Sequence, residues 1–212
     1  MKDIGALRPT RVEAGTGVNP ETVDESQITL ANGHLVRIRP LQDGDDGSIR
    51  ELCARLSLRT RYRRFLIPIA VLPDALLRML SDLDDPRRLA LVAQLGAADG
   101  GDIVALGNVA PSDGDRAEVG LVVADAWQRQ GVGQALATSL LRAAERRGYR
   151  RFLVHGLQDN PALHPLLAHV AEVMSMTTRS GVSEIAFVRR RPAEASASDL
   201  MAEGEAVGYH SH

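Results

Sequence analysis

The stretch Ala117–Ala135, AEVGLVVADAWQRQGVGQA, organises the rest of this chain. Its apolar first half has the character of a buried strand, and a short turn then leads through Gln128–Gly133 into a helix. Unpaired N–H groups and the positive end of the helix dipole meet at such a helix start, which favours bound anions. Gly131 and Gly133 carry no Cβ, so an oxygen atom can come close to the main chain. The stretch therefore predicts a phosphate-binding loop.

Hydrophobic patterns predict secondary structure on both sides of this loop. Further strands are predicted at Leu35–Arg39, Leu89–Leu95, Ile103–Val109, Phe152–Val154 and Ser183–Arg189. Helices are predicted after Asp43–Asp46, after Pro73, from Gly131 to Gly148, and after Asn160, the expected N-cap residue. Short turns join the strands on either side of Ile103–Val109, which indicates a three-strand antiparallel meander. The order of elements is that of an α+β fold.

We expect one domain with loose ends. Residues 1–32 are polar and show no sustained hydrophobic period, which predicts a flexible leader. Residues 33–191 hold all the patterned elements and form the predicted domain. Residues 192–212 are rich in Ala, Glu, Ser and Gly, which predicts a disordered tail.

Composition narrows the class of protein. A hydrophobic content of 44% and a charged content of 25% are ordinary for a globular domain. The net charge of −2 and the 3% of aromatic residues argue against nucleic-acid and membrane-surface partners. The single Cys53 excludes an internal disulfide, and no segment has the pattern of a signal peptide or membrane span. We therefore expect a cytoplasmic protein that binds neither nucleic acid nor membrane.

The motif Gln128-x-x-Gly131-x-Gly133 after a Leu-Val-Val strand resembles the acyl-coenzyme A signature of the GNAT (Gcn5-related) N-acetyltransferases. The resemblance covers roughly Leu35–Val188, where the order of strands and helices is that of the family. It implies a mixed, mostly antiparallel sheet flanked by helices, which splays open between the fourth and fifth strands to take up the cofactor. Acetyl-CoA is then the expected co-substrate, and no metal is expected.

The same resemblance assigns the cofactor contacts. In the family, main-chain groups at the end of the fourth strand pair with the pantetheine arm, and the glycine-containing loop holds the pyrophosphate. The expected cofactor-binding residues are Leu121, Val122, Val123, Gln128, Arg129, Gln130, Gly131, Val132, Gly133 and Asn160. Arg129 fits a solvated arginine equally well, and Asn160 fits a plain helix cap equally well.

A basic segment, Leu56–Leu66 (LSLRTRYRRFL), resembles a stretch in bacterial protein lysine acetyltransferases of the Pat type. One interpretation is an amphipathic helix with Tyr62, Phe65 and Leu66 directed inward and its arginines solvated. The other places Tyr62 and some of the arginines on the acceptor side of the cleft. The expected acceptor is a primary amine, either a protein lysine or a small amine, and the expected oligomeric state is a monomer or homodimer.

Amide formation from a thioester needs an amine that has lost its proton, and an alkylammonium has a pKa of about 10.4. Glu118 is the predicted general base because it shares a strand face with Gly120 and Val122, the face that should line the cleft. It also matches the glutamate that Pat-like enzymes use. His155 on the next strand is the second candidate. The implied reaction is a direct transfer without a covalent enzyme intermediate.

Two positions depart from the family pattern. Leu167 stands where many members have a tyrosine that protonates the thiolate, and Pro165 falls where it is expected to distort the helix after Asn160. A thiolate is a good leaving group, with a pKa of about 8.5, so activity does not require the tyrosine. The alternative function is a catalytically silent acyl-CoA-binding sensor or regulatory module. A dinucleotide-binding turn fits less well because Leu136 replaces its third glycine.

Overall fold

A computed structural model describes residues 25–81, 85–96 and 100–191 of the chain. The strands are β1 (Ser26–Thr29), β2 (Leu35–Pro40), β3 (Leu89–Leu95), β4 (Ile103–Pro111), β5 (Arg116–Val123), β6 (Arg151–Leu157), β7 (Ala171–Arg179) and β8 (Val182–Arg189). The helices are α1 (Asp46–Arg55), α2 (Leu58–Phe65), α3 (Asp74–Ser81), α4 (Val132–Arg146) and α5 (Leu163–Val170). The predicted α+β class is confirmed. The predicted tail and most of the predicted leader lie outside the described residues.

The strands form one sheet in the order β1-β2-β3-β4-β5-β6-β8-β7. All neighbours are antiparallel except β5 and β6, which are parallel. A parallel pair needs a long crossover connection, and α4 supplies it. β3, β4 and β5 are the predicted meander.

Helices cover the sheet on two faces. On one face α4 buries Leu136, Leu140 and Leu141 completely, and α5 lies beside it. On the other face α1 buries Ile49 and Leu52 against β3 and β4. Burial of one such side chain stabilises the fold by about 1.5–3 kcal/mol. The two apolar layers therefore hold the helices against the sheet.

The sheet opens between β5 and β6. Their pairing is limited to Arg116 with Arg151, Ala117 with Phe152, and Glu118 with Leu153. Beyond Glu118 the two strands separate, which leaves a gap with the remainder of β5 as one wall and the remainder of β6 as the other. Because these are the fourth and fifth strands of the sequence prediction, the predicted splay is confirmed.

Two strands differ from the sequence prediction. β1 lies inside the predicted leader of residues 1–32 and pairs with β2, so the described part of that segment is not a loose end. β7 occupies a stretch where no strand is predicted and pairs with β8 along its length, although it is exposed from Glu172 to Arg179. Both are edge strands, which main-chain pairing to one neighbour holds in place. β1 turns only one apolar residue, Ile28, toward the core, and β7 turns almost none. Hydrophobic alternation therefore gives no signal for them.

The start of α5 also differs. Ala162, not Asn160, is the N-cap residue, and Asn160 Oδ1 accepts a hydrogen bond from Ala162 N at 3.2 Å in the turn before the helix. Pro165 is the third helical residue, where its missing N–H would have no partner in the helix in any case. The helix consequently runs without a break to Val170, and the predicted distortion is absent.

Candidate active site

The loop between β5 and α4 presents main-chain N–H groups to solvent. Trp127 N donates to Ala124 O at 2.8 Å, and Ala135 N donates to Gly131 O at 3.0 Å. Between them, the N–H groups of residues 129–134 have no acceptor within the described part of the chain. Gly131 has a φ of 88° and the exposed Arg129 a φ of 60°, both left-handed, and such turns direct successive N–H groups toward one point. The predicted loop therefore has free donors for an anion.

Side chains in the loop stabilise its shape. Gln128 Nε2 donates to Val123 O at 3.0 Å, and Gln130 Nε2 donates to Ala126 O at 2.7 Å. Val132 is completely buried. These three residues can therefore contact a ligand mainly through their main-chain groups.

Neighbouring elements brace the loop from both sides. The Asp125 carboxylate accepts hydrogen bonds from Ser57 N at 2.8 Å, Ser57 Oγ at 2.9 Å and Thr60 Oγ1 at 2.7 Å, which ties it to the start of α2. Burial raises the pKa of Asp125, but these hydrogen bonds outweigh it and lower the pKa overall. From the other side, Asn32 Nδ2 donates to Gln130 Oε1 at 2.6 Å. The loop is thus held in position before any ligand binds.

The open edge of β5 also offers main-chain groups. Ala124 N donates to a carbonyl of β4 at 2.8 Å. Alternate residues of an antiparallel strand direct both main-chain groups to the same neighbour, so those of Val119, Leu121 and Val123 face the gap. Those of Val122 are directed to β4, and its side chain is buried. Of the three predicted strand contacts, Leu121 and Val123 therefore have suitably directed main-chain groups, and Val122 does not.

Glu118 lies where the gap opens. It is the last β5 residue paired with β6, and strand alternation puts it on the same sheet face as Gly120 and Val122, as predicted. Its side chain is 57% exposed, because the strands part at this point. Glu118 Oε1 is 3.3 Å from His155 Nδ1, and His155 Nε2 is 3.1 Å from Glu184 Oε2. Both candidate bases of the sequence prediction are therefore in contact.

Helix α2 brings an arginine to the same face. Arg64 Nη2 donates to Asn108 Oδ1, and its guanidinium lies against Gly120, where an added Cβ would be 2.5 Å from Arg64 Cζ. Burial lowers the pKa of Arg64 to about 10, although the neighbouring Cys53 and Glu118 oppose that change. Arg64 therefore stays positively charged at neutral pH. Its Nε is buried and has no hydrogen-bond partner among the described residues.

The basic segment matches neither predicted arrangement completely. Tyr62 is 43% exposed and is not directed inward, whereas Arg64 is. A signal for this exists in the sequence. Arg64 follows the buried Thr60 by one helical turn, and Gly120 inside a strand marks a place where another group approaches closely.

Asn160 lies on the opposite side of the gap from the loop. Because β5 and β6 are parallel, the end of β6 is at the same edge of the sheet as the loop, and Asn160 follows that end. Leu167, at the position of the family tyrosine, is buried in the core beside α4 and does not line the gap.

Two surface pockets lie elsewhere, one of about 200 Å³ beside Arg189–Arg191 and one of about 260 Å³ beside Arg39. The gap is an open cleft, and the main-chain groups along its border define the candidate site. Within residues 25–81, 85–96 and 100–191, no group of three or more His, Cys, Asp and Glu side chains is arranged to hold a metal ion. In those same ranges, every helix is too short or too polar to cross a membrane.

The family of this chain follows from its sequence matches. The model of the Acetyltransferase (GNAT) family matches residues 53–170, which is more than half of the chain. A Pseudomonas aeruginosa protein named as an acetyltransferase is 31% identical over 141 residues, which cover 65% of this chain and 75% of that relative. The chain therefore belongs to the GNAT acetyltransferases, a family of acyl-transferring enzymes.

Solved structures agree with this assignment. The GNAT domain of S. lividans PAT superposes with a TM-score of 0.68 at 25% identity, covering 77% of this chain and 96% of that domain. YncA of Salmonella typhimurium, solved with its cofactor acetyl-CoA, has the same fold, with a TM-score of 0.58 at 18% identity over 76% of this chain and 98% of that one. The predicted similarity to the Pat type is confirmed by the first of these.

Proposed function

We propose that this protein transfers the acetyl group of acetyl-CoA directly to a primary amine, carried by a protein lysine or by a small molecule. The observation that carries the proposal is the run of unpaired N–H groups at residues 129–134, at the edge of a gap between two parallel strands. Family membership supports acetyl transfer. Similarity to the PAT domain supports a lysine acceptor, and the cofactor of YncA supports acetyl-CoA as the donor.

The length of β5 that borders the gap matches the length of the pantetheine arm. The loop adjoins the end of β5, since a Cβ added at Gly133 would be 3.4 Å from Val123 Cγ2. Val119 lies four positions before Val123, which is about 13 Å at ~3.3 Å per residue. The pantetheine arm has a chain length equivalent to about four residues, or ~14 Å when extended. An arm that starts at the loop and follows β5 therefore ends near Glu118, and the loop N–H groups balance the diphosphate charge without a metal.

The side chains at that end supply proton transfer. Acetyl-CoA brings a reactive thioester when it is bound, so no nucleophile of the enzyme is needed. Glu118 accepts a proton from the ammonium group of the acceptor and frees its lone pair for attack. Since a thiolate leaves readily, the absence of a tyrosine at Leu167 does not prevent turnover.

Acetyl-CoA binding by Gly131→Glu tests the loop assignment. A glutamate there places a carboxylate among the N–H groups that face the diphosphate, and we expect calorimetry to detect no binding while the fold is retained. Gly114→Glu is the matched control, because Gly114 also has a positive φ with nothing within 4 Å and lies at the other end of β5. The control should bind as the wild type does. Retained affinity in Gly131→Glu would contradict the assignment.

Turnover by Glu118→Gln tests the chemistry. Thiol release from acetyl-CoA is measured across a panel of amines and lysine peptides, and kcat/KM should fall by about 10²–10⁴ with acetyl-CoA affinity unchanged. Glu172→Gln, an exposed glutamate on β7, is the control and should keep its activity. Equal rates in wild type and Glu118→Gln would remove Glu118 from its role. Tight binding by the wild type without turnover of any amine would favour the silent acyl-CoA-binding module.

A further inference from the structure

His155 connects two carboxylates across the sheet at the point where β5 and β6 separate. Its Nδ1 is 3.3 Å from Glu118 on β5, and its Nε2 is 3.1 Å from Glu184 on β8. The carboxylates are 57% and 59% exposed and the histidine 32%, so water could satisfy all three groups separately. Exposed pairs of this kind contribute only about 0–1 kcal/mol to stability. The arrangement is therefore not needed to hold the fold together.

We propose that His155 and Glu184 form a proton relay that carries the proton of the acceptor amine from Glu118 to solvent. This inference rests on the proposed function of Glu118. After Glu118 has taken the proton from the ammonium group, its carboxyl passes that proton to His155 Nδ1. The imidazolium so formed passes its Nε2 proton to Glu184, which releases it to water. His155 then takes a proton from water at Nε2 and gives its Nδ1 proton to water, which restores the starting tautomer with no net change in protons, and Glu118 is again an ionised base.

The surroundings of the relay suit this direction of transfer. Charged groups reach the three side chains from α2, β5 and β8: Arg64 lies beside Glu118, and the carboxylates of Glu118 and Glu184 lie on either side of the His155 ring. Arg64 is hydrogen-bonded to Asn108, and its charged guanidinium has no site that can accept a proton, so it cannot compete for the proton. His155 is the group that contacts both carboxylates. His155 and Glu184 act through Glu118 and are therefore positioning residues.

Kinetics of His155→Ala test the relay. We expect kcat to fall by roughly tenfold, less than the loss of the base itself, with acetyl-CoA affinity unchanged. Added imidazole should restore part of the rate, whereas sodium chloride at equal ionic strength should not, because only imidazole can carry the proton. His169→Ala is the matched control, since the His169 ring hydrogen-bonds a carbonyl of its own helix and lies away from β5 and β6.

The outcomes separate the relay from the proposed function. Normal turnover by His155→Ala would overturn the relay alone. A loss of rate that imidazole does not restore, or one accompanied by lost acetyl-CoA affinity, would also overturn it, because His155 would then only support the sheet. A wild type that turns over no amine would remove the proposed function and the relay together.

Nitrogen NMR of the imidazole in the ligand-free protein tests the contacts without any activity. Glu184→Gln should move the Nε2 signal of His155, and Glu118→Gln should move the Nδ1 signal. Glu172→Gln should move neither. If neither ring signal responds to the two substitutions, the connection between the carboxylates is absent and the relay is overturned.

Discussion

At the scale of single residues, the missing side chain of Gly120 decides where Arg64 lies. The guanidinium occupies the space that a Cβ would take, and it reaches Asn108 on the neighbouring strand. A glycine inside a strand usually weakens it, so its presence here indicates that the space is used. On this face of the sheet Gly120 thus leaves a space, and the guanidinium of Arg64 fills it.

Gly120→Ala should displace Arg64 and break its bond to Asn108. Because a guanidinium can swing outward, we expect a stability loss of only about 1 kcal/mol together with lower turnover. The free energy of unfolding, measured with urea, checks the first part. In an Arg64→Ala background the added methyl group has space, so the stability penalty of Gly120→Ala should vanish there. A penalty of equal size in both backgrounds would contradict this explanation.

Arg39 on β2 and Asp45 at the start of α1 form a buried ion pair. Arg39 donates to Asp45 Oδ2 at 2.8 Å and to Oδ1 at 2.9 Å, and the two side chains are 5% and 13% exposed. Asp45→Asn removes the carboxylate charge that faces the buried guanidinium, so the free energy of unfolding should fall by about 3–5 kcal/mol. Chemical denaturation at neutral pH measures this.

The same pair should make stability depend on pH. Burial raises the pKa of Asp45, but the hydrogen bonds from Arg39 and the Gln42 amide, with the charge of Arg39, lower it overall. Its contribution is therefore complete above the unfolded-state pKa of about 3.9 and is lost as pH falls through the lower folded-state value. The difference between wild type and Asp45→Asn should consequently shrink only below about pH 4. A difference that already shrinks near neutral pH would show that another group is responsible.

At the scale of elements, the β1–β2 hairpin supports the candidate cofactor loop. Asn32 in its turn bonds Gln130 at 2.6 Å, and the His34 ring meets Trp127 edge to face with centroids 5.1 Å apart. Asn32→Ala should weaken acetyl-CoA binding by about two- to tenfold, the value of one hydrogen bond, and leave kcat unchanged. Calorimetry and steady-state kinetics measure the two quantities. Gln27→Ala, exposed on the same hairpin, is the control; an equal loss there would contradict a specific brace.

The elements also show what the sequence can and cannot predict. The meander and the loop of residues 128–133 are predictable because buried strands and glycine positions leave clear patterns. β1 and β7 are not, because each is an edge strand held by pairing with one neighbour: β1 turns a single apolar residue toward the core, and β7 is exposed along almost its whole length. The inward position of Arg64 is weakly indicated: charged residues are normally solvated, and the sign against this is Gly120 inside a strand, which leaves space for the guanidinium.

At the scale of the whole molecule, the gap should make stability depend on the cofactor. A ligand at 100 times its Kd stabilises the native state by about 2.7 kcal/mol, which corresponds to a rise of several degrees in Tm for a chain of this size. Acetyl-CoA should also slow amide exchange at Val119, Leu121 and Val123 more than at Gly120 and Val122. Calorimetric melting and NMR exchange measure these effects. Protection confined to the amides of Gly120 and Val122 would contradict the conclusion that Val119, Leu121 and Val123 face the gap.

The alternation along β5 limits how this protein can vary in evolution. Inserting or deleting one residue between Glu118 and Val123 would move the side chains before the change to the other face of the sheet, relative to those after it. The main-chain groups before the change would likewise point to the opposite edge of the strand. The carboxylate would turn into the layer under α4, and the donors beside the cleft would turn toward β4. Length changes between β4 and β5, in the turn at 112–115, carry no such penalty. Orthologues that keep the activity should therefore vary freely in that turn and keep the ten-residue spacing from Glu118 to Gln128 fixed.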